Sequence, residues 1–197
     1  MPRLLLPFLC AVLFSLSTTS AHAENRQYLS DESWLTETAN DAPKYSSVRT
    51  LRDFELGLGS KFWIDTPADI AIKVFNEAIP PKGNGVLRRF WETALKEDQN
   101  QIVFSRTKPI NQTELELINA RLSAMIRLGF FDEAIRLYET MPGPIADSTA
   151  HIGIEACAKA GLPDLACLEL QNIAPHITTR PWKLRQYYCA LYFQSFE

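Results

Sequence analysis

From residue 111 onward the chain repeats itself at a shift of 32 residues (161 − 129 = 32), and this periodicity constrains the fold more than any other feature. Gly129 falls on Gly161, Ala124 on Ala156, Ala134 on Ala166, Ile135 on Cys167 and Cys157 on Cys189, while Pro142 and Pro175 are one residue out of step. Each unit reads as helix, glycine turn, helix with an early alanine, and proline stop. A period of this length marks a stacked supersecondary unit. Two short helices cannot bury both of their apolar faces alone, so each hairpin must pack on its neighbour. The small alanines let the paired helices approach closely.

Within the first unit, Thr113-Glu114-Leu115-Glu116 has the form of a capping box, in which a hydroxyl and a carboxylate satisfy free amides reciprocally. Leu115, Ile118, Leu122, Met125 and Ile126 keep one helical stripe up to the Gly129 stop. Asp132 to Thr140 forms the return helix with Ala134, Leu137 and Tyr138 inward, and Pro142-Gly143-Pro144 closes the hairpin. A third unit begins near Thr179-Arg180-Pro181-Trp182 and runs through Leu184, Tyr187, Tyr188, Leu191 and Tyr192 to Glu197. It has no glycine stop and no polar outer face. The first expectation is a truncated form of a longer array. The others are self-association through this helix, or its return onto residues 62–95.

Upstream, Thr66-Pro67 places a hydroxyl cap before a proline at the first helical position, and Ile70, Val74, Phe75 and Ala78 supply the apolar face. Pro80-Pro81-Lys82-Gly83 stops that helix. Asn84-Gly85 starts another through Val86, Leu87, Phe90, Trp91 and Leu95. Ile102-Val103-Phe104 reads as a short extended stretch in an irregular linker. Residues 24–61 are polar and weakly patterned, so they read as a mobile leader with one helical turn near Trp34-Leu35. In Leu56-Gly57-Leu58-Gly59 the glycines oppose a long helix.

The first 23 residues carry the compartment signal. Arg3 precedes an apolar run from Leu4 to Leu16, and Ala21-His22-Ala23 is a small-x-small cleavage site. The run is shorter than the ~20 apolar residues a spanning helix needs. Cleavage after Ala23 leaves 174 residues (197 − 23) and a net charge of −4 (19 − 23). No later stretch approaches spanning length, so no stable membrane span is expected after cleavage. A mildly acidic chain also lacks the electrostatic footprint of a nucleic-acid binder. The expected organisation is signal peptide 1–23, polar leader 24–61, helical pair and linker 62–110, and helix-hairpin repeats 111–197, the last incomplete.

Gly129-Phe130-Phe131-Asp132-Glu133-Ala134-Ile135, followed by Tyr138-Glu139 and Pro142, resembles the second half of a tetratricopeptide repeat. Gly161-Leu162-Pro163-Asp164-Leu165-Ala166, with Leu170 and Pro175, resembles it more loosely. The first-helix signature is weak, and the spacing is shorter than the ~34 residues of that motif. More widely, Phe62-Trp63-Ile64-Asp65-Thr66-Pro67, Val86-Leu87-Arg88-Arg89 and Pro181-Trp182-Lys183-Leu184-Arg185 resemble uncharacterised exported helical-repeat proteins of bacteria, which are longer. That resemblance implies an all-α fold of stacked helix hairpins forming a right-handed α-solenoid segment, and a periplasmic location. It offers no activity to carry over.

After cleavage the cysteines are Cys157, Cys167 and Cys189. An odd number in an oxidising compartment implies one disulfide and one leftover thiol. The repeat register places Cys167 early in a second helix and Cys189 in the next first helix, which favours that pair, and the resemblance leans the same way. Cys157–Cys167 is the alternative. The spacing has no CxxC or HExxH, so no metal site is expected. A nucleophilic Cys157 with His151 is disfavoured, because Cys157 lies in the apolar stretch Ile154 to Ala160. No cofactor is implied, since there is neither G-x-S-x-G nor a phosphate-binding glycine loop. The remaining candidates line the groove formed by the first helices: Asn119, His151 and Lys183 at one register position, Ser123, Glu155 and Tyr187 at another. They could hold an extended peptide or a partner helix, though most exposed polar residues are ordinary wetted surface. The expected function is a non-catalytic periplasmic scaffold with a protein or peptide partner in the cell envelope. The alternatives are a redox or hydrolytic accessory using the cysteines or a missing C-terminal part, and a structural subunit of an envelope assembly.

Overall fold

A computed structural model describes residues 26–41, 44–50, 62–105, 107–173 and 180–194. The expected signal peptide, the Leu56-Gly57-Leu58-Gly59 segment and Pro175 lie outside them. The described chain is predominantly helical, with eight packed α-helices: α1 Asp31–Glu37, α2 Ala68–Asn76, α3 Gly85–Lys96, α4 Ile110–Leu128, α5 Phe131–Thr140, α6 Asp147–Lys159, α7 Pro163–Ile173 and α8 Arg180–Gln194. A two-residue parallel pair, β1 Tyr28–Leu29 with β2 Ile145–Ala146, joins the N-terminal segment to the start of α6. No helix among the described residues is long and apolar enough to cross a membrane.

α4 is the longest helix and touches α2, α3, α5 and α6. Its stripe of Leu115, Ile118, Leu122, Met125 and Ile126 is buried as the periodicity predicts, and so are Ala134, Leu137 and Tyr138 of α5. The two hairpin turns are built alike. Gly129 and Gly161 adopt left-handed φ values of 79° and 78°, a conformation that costs glycine no Cβ clash. Phe130 N donates to Met125 O at 2.8 Å, and Leu162 N, 32 positions on, donates to Cys157 O at 3.0 Å. The next bonds match too, Ala134 N to Phe130 O at 3.0 Å and Ala166 N to Leu162 O at 3.1 Å.

Two local expectations are corrected. α4 begins at Ile110 behind Pro109, ahead of the expected capping box. Thr113 Oγ1 donates back to the Pro109 carbonyl, and Glu116 pairs with Lys108 at 2.9 Å. The extended backbone of Pro109 already turns the chain into the helix. α2 begins at Ala68 with Pro67 as its cap, and Thr66 instead accepts from the Val103 amide at 2.9 Å. Val103 thus forms one parallel bridge with Pro67.

The buried faces of α2 and α3 also differ from the predicted stripes. Ala68, Ala71, Phe75 and Ala78 are buried while Ile70 and Val74 are exposed; in α3 it is Ala94, Leu95 and Lys96, with Val86, Leu87 and Phe90 exposed. Close approach of α2 to α4 selects its alanines over its branched residues. Lys96 is held by Glu92 at 2.8 Å and Glu133 at 3.2 Å.

The described part of the expected mobile leader is anchored in the core by a few side chains. Trp34 and Tyr45 are fully buried. Trp34 Nε1 and the Tyr45 hydroxyl both donate to the Pro144 carbonyl, at 2.9 and 2.7 Å. Ser46 donates through its amide and hydroxyl to Glu114 on α4, at 3.2 and 2.9 Å. Burial raises the Glu114 pKa, and these donors offset part of the rise. Two large aromatic rings and a polar anchor outweigh the low mean apolar content of the segment.

The buried Arg121 side chain closes the junction. It donates to the carbonyls of Leu95, Val48 and Glu97 at 2.8, 2.8 and 2.7 Å. These include orphan acceptors at the end of α3.

Candidate interaction site

The six groove candidates lie on three helices: Asn119 and Ser123 on α4, His151 and Glu155 on α6, and Lys183 and Tyr187 on α8. The Asn119 amide is occupied within the fold: Nδ2 donates to Ser148 Oγ at 2.9 Å, and Oδ1 accepts from Thr149 Oγ1 at 2.7 Å. It ties α4 to the first turn of α6. Ser123 is half-buried on α4. Glu155 pairs with Lys159 at 2.9 Å, and Lys183 and Tyr187 are exposed on α8.

His151 lies flat on Trp182, with ring centroids 3.7 Å apart, and the Arg185 guanidinium covers the same indole at 4.0 Å. Burial, and then the Arg185 charge, push the His151 pKa down to about 4. The imidazole is therefore neutral near pH 7, and its Nε2 is buried without a hydrogen-bond partner. The three-layer stack is what the sequence reading missed. Its signal was an aromatic one position before Lys183, in the same register as His151.

Cys167 and Cys189 stand at disulfide distance, with sulfurs 2.00 Å and Cα atoms 5.4 Å apart, so α8 is linked to α7. Cys157 is a buried free cysteine. Burial, followed by Glu169 and Glu139, pushes its thiol up to about 12, the opposite of what an activated nucleophile needs. Among the described residues no group of three or more His, Cys, Asp or Glu could hold a metal.

A second buried polar cluster pins the N-terminal strand. Glu169 of α7 accepts from the Tyr28 hydroxyl at 2.7 Å and the Tyr138 hydroxyl at 3.2 Å. Burial, then Glu169, raises the Tyr28 pKa to about 12. Both phenols stay protonated and serve as donors, so the cluster is a structural clamp.

Between α6, α7 and α8 lies a largely apolar cavity of about 290 Å³, whose walls include Ile154, Ala166, Cys167, Leu170, Arg185 and Tyr188. α8 exposes Leu184 (59%), Tyr187 (69%), Tyr188 (61%) and Leu191 (66%), of which Tyr188 lines the cavity. Their 3- and 4-residue spacing lays them along one helical face. No family model, curated protein or solved structure matches the chain.

Proposed function

We propose that the chain is an exported, periplasmic helical-repeat scaffold that mediates protein–protein interaction without catalysing a reaction, and that α4 to α8 form a right-handed, tetratricopeptide-like α-solenoid segment. The repeat reading is supported by the matching glycine turns at 129 and 161 with their matching hydrogen bonds. The interaction reading rests on one observation, the exposed apolar face of α8 from Leu184 to Leu191 beside an apolar cavity. A non-catalytic role is favoured by the chemistry of the candidate nucleophile: Cys157 is buried with its thiolate suppressed, and His151 is occupied by Trp182. The export reading rests on residues 1–23 alone.

The test is a chromosomal C-terminal tag, in-cell crosslinking of the envelope fraction and identification of captured species by mass. One recurrent envelope partner, and a mature N-terminus at Glu24, are the expected results. A monomer that crosslinks to nothing sinks the scaffold reading, and a retained Met1 in the cytoplasm sinks the export reading.

A further inference from the structure

The apolar cavity beside α8 arises where the repeat departs from itself. At the α5–α6 interface the Tyr138 ring lies directly on Gly153, so close that a Cβ there would come within 2.7 Å of it. Thirty-two positions on, the equivalent pair is Leu170 and Arg185. The aromatic has become a smaller aliphatic, and the glycine a long charged side chain. The helices cannot close in the same way, and Leu170 and Arg185 both line the resulting 290 Å³ cavity. An amphipathic helix that docks in an apolar groove does so through apolar anchors three and four residues apart.

The stripe beside the cavity is also out of keeping with the rest of the stack. In the repeat register Tyr188 corresponds to Ala124 of α4 and Ala156 of α6, both fully buried. In α8 that position is a large ring, 61% exposed, on the cavity wall. Leu184 and Leu191 extend it along one helical face.

Charge selects the partner. α5, α6 and α7 carry acidic residues in their first turns (Asp132 and Glu133, Asp147, Asp164), which suit the positive end of a helix. α8 reverses this. Arg180, Lys183 and Arg185 crowd its first half, and the helix contains no acidic residue. An anionic neighbour relieves both the like-charge crowding and the unfavourable dipole.

We infer that the cavity and the Leu184–Tyr188–Leu191 stripe receive an amphipathic helix of a partner protein, which seats a leucine or phenylalanine anchor in the cavity and sets Asp or Glu residues against Arg180, Lys183 and Arg185. This rests on the scaffold reading and names the chemistry of its partner. A second copy of the chain fits less well, because α8 offers no carboxylate to a facing α8, and Glu155 on the cavity wall already pairs with Lys159 at 2.9 Å.

The experiment uses the full mature chain and a fluorescein-labelled synthetic helix of roughly 18 residues, about 27 Å long, with a Leu/Phe stripe and glutamate flanks. A second peptide carries lysine in place of each glutamate. Fluorescence anisotropy is expected to give saturable binding of the acidic peptide, weakened at high salt, with the lysine peptide at least ~10-fold weaker, an order of magnitude per ~1.4 kcal/mol. Tyr188→Asp and Ala158→Trp, the latter at an exposed position on the cavity wall, are each expected to weaken binding by a similar factor. Circular dichroism and the thermal midpoint verify that both variants fold. Equal binding of the two peptides, no binding, or unchanged binding in both folded variants overturns the inference. So does a dimer in sedimentation that Tyr188→Asp dissociates. If in-cell crosslinks to an envelope partner survive in the Tyr188→Asp strain, the scaffold stands and this site falls; if the wild-type chain crosslinks to nothing, the scaffold itself falls.

Discussion

Replacing Arg121 by methionine probes the junction on which the N-terminal segment, α3 and α4 meet. The guanidinium is fully buried and serves three backbone carbonyls, those of Leu95, Val48 and Glu97, at 2.7–2.8 Å. Methionine keeps much of the stem volume and removes every donor. Each carbonyl left without a partner costs about 1–3 kcal/mol. Against this stands the desolvation of the charge, which lowers the Arg121 pKa to about 9 and is relieved in the variant. Taking the middle of that range, about 6 kcal/mol for the three carbonyls, and setting against it about 3 kcal/mol for the relieved desolvation and some water entry at the half-buried Val48 side, leaves a net loss of about 3 kcal/mol. For a chain of this size that is a fall of roughly 6–12 °C in Tm. Arg121→Lys keeps the charge but cannot reach three carbonyls with one planar fork, so it is expected to lose about 2 kcal/mol. Urea unfolding followed by circular dichroism, with matched m-values, measures both. A loss below ~1 kcal/mol for Arg121→Met, within the range of ordinary surface changes, refutes the view that this side chain holds the junction.

Other measurements probe the rest of the stack. His151 titrates near 6.5 when unfolded and at about 4 when folded, so the unfolded chain binds the extra proton between those values. Stability from this group is full above pH 6.5 and is lost as pH falls toward 4. Discounted for partial exposure, the loss is roughly 1 kcal/mol, read as the part of the urea-midpoint difference between pH 7 and 4.5 that His151→Gln removes. Gly153→Ala drives a methyl group into the Tyr138 ring, whose hydroxyl is held by Glu169; a loss of about 1–3 kcal/mol is expected, and an unchanged Tm contradicts the packing. Cys167 and Cys189 are 22 positions apart, so breaking the bridge with Cys189→Ala is expected to cost about 3 kcal/mol by loop entropy. Proteolytic fingerprinting without reductant that finds Cys157 bridged refutes the pairing.

The helix stops and the buried stripe of α4 were legible in the sequence because they are local. A glycine at 129 or 161 can take a left-handed φ without steric cost whatever packs around it, and apolar residues three and four apart share one face in any helix. The register of the repeat likewise pointed to Cys167 and Cys189, since it depends only on order along the chain. The faces of α2 and α3, the burial of Trp34 and Tyr45, and the cavity beside α8 depend on neighbours remote in sequence. Trp34 and Tyr45 share a carbonyl that lies 110 and 99 positions away. α2 turns its alanines inward because α4 approaches too closely for Ile70 and Val74. The cavity exists because Leu170 and Arg185 stand where the preceding interface has Tyr138 on Gly153. Composition and periodicity along one strand of chain set which elements form. Which face each element buries, and where the stack leaves a gap, is decided by steric fit between segments, and only the tertiary structure contains that.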